Sequence, residues 1–467
     1  MQQVTVVAQP IAELEQVLGP ARYQQFGELA ERTTEAFRGR AVINVNSTAS
    51  GGGVAEMLHT LLAYSRGAGI DARWMALEAP PAFFDITKRV HNRIYGVRGD
   101  PGALGETERR LYEQVLAGQM DDLVGRARPQ DLVVLHDPQT LGLAPALKAA
   151  GVPVVWRCHI GADRPNEFAA DGWQFLAPYL YAVDAVVVSR DAFAPPGYAR
   201  EQVWVIPPSI DPLAVKNAPL TVAETSSLLA FAGLVQGDGD SAVFRRRDGS
   251  AAAAVHRAVV VGDDPPPPAD APLVVQVSRW DRLKDMPGVL TGFVRHVPGD
   301  AHLVLAGPDV SGVADDPEGV AVFGECTALW ATLPPAARAR VHLVCLPTAD
   351  GEENAAYVNA LQRHAAVVVQ KSLAEGFGLT VVEAMWKARP VVASAVGGIV
   401  DQIADDDSGA LLEDPADLAT FGDLVTGLLT DHERAARVGG RAQERARDFL
   451  PDLHLEHWAT LLTGLAT

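Results

Sequence analysis

The sequence predicts an α/β protein of two parallel-sheet domains, on three observations. Short apolar runs alternate with helix-length segments along most of the chain. These runs fall into two series, parted by a proline- and alanine-rich stretch. Between them HAAVVVQKS (364–372), the glycine-containing EGFGLTVVEAMWK and RPVVASAV (389–396) read as strand, loop, helix and strand, a βαβ unit. Strands of a parallel sheet covered on both faces are buried throughout, so they read as continuous apolar runs.

In chain order, residues 1–40 carry helical patterning in IAELEQVLG and YQQFGELAERTTEAF. The first series is AVINVNS (41–47), DARWMAL (71–77), DLVVLHD (131–137), VPVVWRCHI (152–160), DAVVVS (184–189) and VWVIPPS (203–209). A glycine turn and the helix VAEMLHTLLAYSRGAG (54–69) follow its first member. The second series is LVVQVS (273–278), HLVLAG (302–307), VHLVCLP (341–347), AVVVQKS (366–372) and PVVAS (390–394). The expected domains are 1–210 and 211–449, each Rossmann-like, with ligands at the carboxyl ends of the strands and the active site in the interdomain cleft. A chain of 467 residues accommodates two such domains of roughly 200 residues each.

Residues 217–272 differ from the rest and read as an insertion or linker at the domain boundary. A short apolar helix (LLAFAGLV) is followed by QGDGDS, the basic triplet Arg245–Arg246–Arg247, an alanine run and DDPPPPAD. Consecutive prolines fit neither a helix nor a central strand, so 264–268 is expected to be extended. The triplet reads as a solvated surface patch, with a phosphorylated ligand as the alternative.

Composition narrows the function. Hydrophobic residues make up 48% and charged residues 21%, as in ordinary globular proteins. The net charge is 39 − 58 = −19, which argues against general binding to nucleic acid or to an anionic membrane. Cys158, Cys326 and Cys345 are too few and too scattered for a disulfide framework or a zinc site. The start MQQVTVVAQPIAELEQ lacks a basic region followed by an apolar core, and no apolar run reaches the ~18 residues of a membrane span. A cytoplasmic location is expected.

The densest chemistry lies in AEGFGLTVVEAMWKARPVVASAVGGI (374–399). Gly376 and Gly378 let the backbone approach a ligand closely. The N–H groups around Leu379 and Thr380 lie at a helix N-terminus, which favours a phosphate. Glu375 falls in the loop after a strand and Glu383 about one turn into the helix, so both can face one crevice and accept hydrogen bonds from hydroxyls. Phosphate donors flanked by two such acids suit a sugar nucleotide. The competing reading is a βαβ unit whose glutamates cap a helix or meet surface lysines.

Upstream, LVVQVS runs into RWDRLK, which sets Arg279 and Lys284 just past a strand. A leaving nucleoside diphosphate develops about two negative charges, neutralised by a metal or by paired cations. Arginine offers a planar fork to phosphate oxygens, and lysine a mobile point charge. Such a pair is common after any strand, and gains weight from Glu375, Gly376 and Glu383 downstream. Asp405–Asp407 read as a solvated turn, and no metal is assigned. In the first series Gly51–Gly52–Gly53 aims backbone N–H groups at the cleft from the opposite side, although any tight strand-to-helix turn uses glycine. Asp137, in HDPQ, points toward the same cleft. His159 ends VPVVWRCHI, where a lone histidine is ordinarily structural.

The spacing E-x7-E around G-F-G-L resembles the donor site of retaining glycosyltransferases with two facing Rossmann-like domains, the GT-B architecture of the family 4 type. VNSTASGGGVAEMLH, FFDITKRVHN, HDPQ, WRCHI, PPSIDPLAVKN, VSRWDRLKD and EGFGLTVVEAMWK are similar, in order from about residue 40 to 400, to the trehalose glycosyltransferring synthases. These couple a nucleoside-diphosphate glucose to free glucose with retention. The resemblance implies a catalytic set of Arg279, Lys284, Glu375 and His159, with His159 facing the donor sugar near its 6-hydroxyl. It implies donor binding by Gly52, Gly53, Gly376, Phe377, Gly378, Leu379, Thr380 and Glu383, the last on the ribose. Asp137, Lys88, His91 and Asn92 would line the acceptor side. Domain 1–210 is then the acceptor domain, and 211–449 the donor domain. The final helical stretch (roughly 430–465) would cross back, its segment 450–467 packing on the first domain. The 217–272 region departs from the pattern through its extra length.

The function this implies is a metal-independent hexosyltransferase that forms trehalose from UDP-, ADP- or GDP-glucose and a small sugar acceptor, with no cofactor. Front-side attack is favoured, with the departing diphosphate accepting the proton of the incoming hydroxyl. Double displacement stays open, with Asp137 and Glu375 as nucleophiles by charge. Alternatives are a retaining trehalose phosphorylase, a glycosyltransferase with a secondary-metabolite acceptor, a nucleotide-sugar 2-epimerase and a sugar-nucleotide sensor. No nucleic-acid or membrane partner is expected, and a homodimer stays open.

Overall fold

The computed structural model describes residues 1–49, 52–310 and 317–466. The chain forms two compact units: Met1–Ile210 together with the chain from Phe449 onward, and Asp211–Asp448.

The first unit is built on a seven-stranded sheet of β1 (Gln2–Val4), β2 (Ala41–Asn46), β3 (Asp71–Ala76), β4 (Leu132–His136), β5 (Val154–Cys158), β6 (Ala185–Val188) and β7 (Val203–Val205), in the order β1-β3-β2-β4-β5-β6-β7. β2 to β7 pair in parallel. β1 corrects the helical reading of residues 1–40. It pairs antiparallel to β3, with Gln2 opposite Ala76, and three residues are too few to show a period of their own. The principal helices are α1 (Pro20–Ala36), α2 (Gly53–Gly67), α3 (Pro81–Ile94), α4 (Glu106–Arg126) and α5 (Glu167–Leu180).

Successive strand residues face opposite sides, and both sides are covered. Ile43, Val45, Val133, Leu135 and Trp156 share a core with residues of α3, α4 and α5. Val42, Val134, Val155 and Val187 pack instead with Phe37 and with Leu461 and Leu462 of the C-terminal helix Pro451–Ala466. That helix is tied to α1 by the ion pair between Arg22 and Asp452.

The second unit carries β8 (Val243–Arg245) and β9 (Ala251–Ala253), a separate two-stranded hairpin. Its main sheet comprises β10 (Val259–Val260), β11 (Leu273–Val277), β12 (His302–Pro308), β13 (Val341–Leu346), β14 (Val367–Gln370), β15 (Val391–Ser394) and β16 (Ala410–Leu412), ordered β10-β13-β12-β11-β14-β15-β16. From β11 to β16 the pairing is parallel. Helices include α6 (Val222–Ala232), α7 (Met286–His296), α8 (Gly351–His364) and α9 (Leu379–Trp386). The expected final helical stretch is two helices, and the first of them, His432–Ala446, belongs to this unit.

The 217–272 region is more than a linker. β10 joins the main sheet antiparallel to β13, and the alanine run forms β9. Of the basic triplet, Arg245 is exposed as a solvated patch would be, whereas Arg246 and Arg247 are partly buried against acids. Arg246 is ion-paired with Asp350 (2.5 Å) and Glu352 (2.8 Å), and the Arg247 N–H donates to Glu352 Oε1 at 2.8 Å. A cation with acids to meet is better placed against them than in water when geometry allows multiple bonds.

Candidate active site

In the second unit the strand order reverses between β11 and β14, with β12 and β13 on one side and β15 and β16 on the other. Ligands of open α/β sheets bind outside the carboxyl ends of strands at such a switch point. The loop after β11 is anchored by Trp280, whose buried ring donates from Nε1 to the Pro308 carbonyl at 3.0 Å. Asp281 caps the following turn, accepting from the Leu283 N–H at 2.8 Å. Asp285 then adopts a left-handed conformation (φ 47°) and caps α7. A Cβ at Gly288 would come within 2.2 Å of the Asp285 carboxylate, so this close approach requires glycine.

The loop after β14 is stitched to this one. Buried Lys371 is ion-paired with Asp285. The Gln276 amide accepts from the Lys371 N–H (3.2 Å) and donates to the Lys284 carbonyl (2.8 Å). Leu373 N–H donates to the Leu283 carbonyl at 2.8 Å. With both backbones fixed, Lys284 Nζ and the Glu375 carboxylate form an ion pair, and the Ser372 hydroxyl donates to Glu375 Oε2 at 3.2 Å. Arg279 stands in the same loop, more than half exposed, 3.3 Å from Asp281.

Gly376, Phe377 and Gly378 lead into α9. Gly378 caps it in a left-handed conformation (φ 87°). The loop lies backbone to backbone on residues 396–399: Gly398 N–H donates to the Gly376 carbonyl at 3.0 Å. A Cβ at Gly397 would sit 1.8 Å from the Glu375 carbonyl oxygen. The Phe377 ring is buried, so this residue anchors the loop. Leu379 and Thr380 are the first two residues of α9, where backbone N–H groups lack intrahelical partners. The Thr380 hydroxyl donates to Gln370 Oε1 at 3.0 Å. Glu383, one turn on, is buried with Lys216 Nζ 3.5 Å from Oε1. Lys387 Nζ holds the Glu383 carbonyl (3.1 Å), Asn217 (2.9 Å) and Gln362 (2.7 Å).

In the first unit β2 and β4 flank the reversal of strand order. Gly52 (φ 81°) caps α2 and Gly53 is its first residue, while Gly51 lies outside the described residues. Asp137, just past β4, is in a left-handed conformation (φ 61°). Its Oδ1 accepts the His159 N–H at 2.8 Å. Burial pushes its carboxyl up to about 6, against the His159 N–H and the Arg157 cation.

The His159 ring is engaged on both nitrogens, with Arg157 Nε 3.4 Å from Nδ1 and His136 Nδ1 3.2 Å from Nε2. A sugar hydroxyl can meet this ring only in competition with those contacts. Burial, then the Arg157 charge, drives His136 down to about 3, and holds His159 well below its ordinary value.

Lys88, His91 and Asn92 form a separate stripe on one face of α3. His91 meets Tyr95 edge-on at 5.0 Å. Asn92 packs on the left-handed turn at Gly99, where a Cβ would lie 2.8 Å from its Nδ2.

Several residues here escaped sequence reasoning. Lys216 sits in PPSIDPLAVKN, Lys371 in AVVVQKS and Arg157 in VPVVWRCHI. A charged residue inside an apolar strand run is the signal that marks the last two, because such residues are rarely buried without a partner. Asn44 and His136 carry the same signal more weakly. Among the described residues no group of three or more His, Cys, Asp or Glu is arranged to hold a metal ion.

Two parallel-sheet units with charged loops at their switch points define a glycosyltransferase of the GT-B architecture. The trehalose 6-phosphate synthase of Burkholderia multivorans has a matching fold, with a TM-score of 0.65 over 92% of this chain and 100% of its own at 16% identity. The family described as "Trehalose synthase, N-terminal domain" matches residues 44–195, and "Glycosyl transferases group 1" matches residues 350–445. The trehalose synthase of Rubrobacter xylanophilus is 34% identical over 96% of this chain and 94% of its own. That of Pyrococcus horikoshii is 32% identical over 97% and 96%. The chain belongs to the trehalose synthase family of glycosyltransferases.

Proposed function

We propose that this protein transfers glucose from a nucleoside-diphosphate glucose to free glucose with retention, releasing α,α-trehalose and the nucleoside diphosphate. The observation that carries this reading is the pairing of Lys284 with Glu375, 91 positions apart, across the switch point of the second unit. A cation and a hydroxyl-reading acid side by side suit the junction of a diphosphate and a sugar. The near-full-length likeness to trehalose synthases supports glucose as acceptor.

When the donor arrives, its diphosphate takes Lys284 from Glu375, and Glu375 turns to the sugar hydroxyls. Arg279 and Lys284 then neutralise the charge that develops as the glycosidic bond breaks. The departing phosphate oxygen accepts the proton of the attacking hydroxyl on the same face, so configuration is kept. Glu383, with Lys216 beside it, binds the ribose, and the N-terminus of α9 faces the phosphates. The cations do the work a metal would otherwise do, so turnover persists in excess EDTA. A loss greater than about tenfold, restored by Mg²⁺, contradicts this part.

The test of the reaction is carbon NMR of the product from labelled UDP-, ADP- and GDP-glucose with glucose. A symmetric 1,1-linked disaccharide is expected. Donor hydrolysis alone, or transfer only to a non-sugar acceptor, overturns the assignment. Release of glucose 1-phosphate from trehalose and inorganic phosphate, without use of a nucleotide-sugar, identifies a phosphorylase instead.

A further inference from the structure

Four buried side chains on one face of the first sheet, at the carboxyl ends of β2, β4 and β5, form a hydrogen-bonded chain whose direction is fixed. Arg157, fully buried, lies with Nε 3.4 Å from His159 Nδ1. A guanidinium has only donors, so His159 Nδ1 accepts and carries no proton. The single ring proton of a neutral His159 is therefore on Nε2, 3.2 Å from His136 Nδ1. His136 Nδ1 must then accept, which puts the His136 proton on Nε2. That nitrogen is 3.0 Å from Asn44 Oδ1, an acceptor. The amide orientation of Asn44 is thus an outcome of the chain, set from the arginine end. The reverse direction would bring a His159 Nδ1–H against the Arg157 Nε–H.

The two imidazoles are held nearly parallel, 11° apart with centroids at 5.5 Å. Behind them, His136 and Asn44 border a mainly apolar cavity of about 90 Å³, walled by residues such as Leu58, Leu62 and Leu462. Arg157 also donates from Nη2 to the Ser189 hydroxyl at 3.2 Å, which fixes its guanidinium plane.

We propose that Arg157 sets His159 as the neutral Nε2–H tautomer and that His136, oriented in turn by Asn44, is a positioning residue that aims the ring by accepting this proton. His159 then meets a ligand as a hydrogen-bond donor and never as a base or a cation. An acceptor oxygen on the ligand competes with His136 Nδ1 for one proton. A hydroxyl of a bound sugar has the chemistry to do so. That consequence for turnover rests on the sugar-nucleotide reading, whereas the tautomer does not.

The test has two arms. In the ligand-free protein, imidazole ¹⁵N shifts are recorded after histidine ring labelling, with His159 and His136 assigned by substitution. Both residues are expected to show a protonated Nε2 and an unprotonated Nδ1 at neutral pH. A His159 protonated on Nδ1, or on both nitrogens, overturns the proposal without reference to any reaction. In the second arm, His136→Gln keeps an acceptor toward His159 and a donor toward Asn44, so it keeps the partner that aims the His159 ring. His136→Leu and Asn44→Asp break the chain. The aspartate does so at constant shape, by drawing a second proton onto His136 and making its Nδ1 a donor. These two variants are expected to shift the His159 ring signals and lower kcat/KM for the nucleotide-sugar by about tenfold or more, with His136→Gln near wild type. Unchanged His159 signals in folded His136→Leu overturn the positioning role. If the expected tautomers occur in a protein that makes no trehalose, the functional reading fails and the chain of hydrogen bonds stands.

Discussion

At the scale of single residues, the charges in the two loops after β11 and β14 are held by backbone bonds, not merely by mutual attraction. Lys284 has its carbonyl tied to Gln276 and its neighbour Leu283 tied to Leu373, so removing its ammonium leaves the loop in place. Arg279 is mostly exposed and contributes little packing. Arg279→Ala and Lys284→Ala are therefore expected to keep the wild-type circular dichroism and melting behaviour while each loses about 10²-fold or more in kcat, the scale of one transition-state charge stabiliser. Near-normal turnover in either removes that residue from the site. Asp137 gives a prediction of the opposite kind. Its carboxyl titrates at about 6 in the folded chain because of burial, above the ordinary carboxylate value near 3.9 that it regains on unfolding. The folded state thus binds the proton more tightly than the unfolded state, and stability falls as pH rises from about 4 through 6. Asp137→Asn removes that charge, keeps an acceptor for the His159 N–H, and suits the left-handed backbone. Its melting temperature is expected to exceed wild type by roughly 2–4 °C at pH 7.5, the gain shrinking toward pH 4. A difference that does not vary with pH would assign the effect to backbone conformation alone.

At the scale of elements, the longer parallel strands were legible because apolar residues dominate each of them, as in LVVQV of β11, where Gln276 is the one interruption. The short edge strands were not. β1 is QQV, β9 is AAA and β10 is two valines, and their partners, not their composition, make them strands. The glutamates around α9 and the basic loop after β11 were legible as one site through the family resemblance, whereas the adjacency of β11 and β14 comes from the reversal of strand order. What could not be read was direction inside a buried layer. Nothing in VPVVWRCHI tells that Arg157 and His159 turn toward His136, or in AVVVQKS that Lys371 reaches Asp285. Arg246 is the same case at longer range, since its partner Glu352 lies 106 positions away. Its pairing also holds Asp350 down to about 2. A depressed carboxylate contributes stability above its ordinary value, and that contribution is lost as pH falls from about 4 through 2. Arg246 is a third exposed, so solvent weakens its ion pairs, and it is one tie of the β8–β9 hairpin beside the Arg247 N–H bond to Glu352 and buried Phe244. Arg246→Met is expected to make residues 243–253 the first site of limited proteolysis at neutral pH, while the main sheet stays resistant and wild type is not cut there. Equal resistance of wild type and variant would show that Glu353, which accepts from the N–H groups of Val255 (2.6 Å) and His256 (2.9 Å), anchors the segment without it.

At the scale of the whole molecule, each sheet carries its own buried core, yet the chain does not divide at one point. Residues from Phe449 onward return to the first unit. There Leu461 and Leu462 cover Val42, Leu132, Val134 and Val155 of the sheet, half-buried Trp458 extends the cover, and buried His454 accepts from Trp458 Nε1 at 2.9 Å. Burying a large apolar side chain stabilises by about 1.5–3 kcal/mol, as an upper estimate. Losing the helix removes two such side chains and strips at least four strand residues of their cover, on the order of 10 kcal/mol together. A domain has a net stability of only about 5–15 kcal/mol. Ending the chain at Asp448 is therefore expected to unfold the first unit and spare the second, whose core residues all precede that point. Hydrogen exchange resolves the outcome unit by unit: amides of β2, β4 and β5 should lose protection, while those of β11, β12 and β14 keep it. If β2, β4 and β5 remain protected, the C-terminal helix is a dispensable cover. If β11 and β14 also lose protection, the two units fold as one cooperative body.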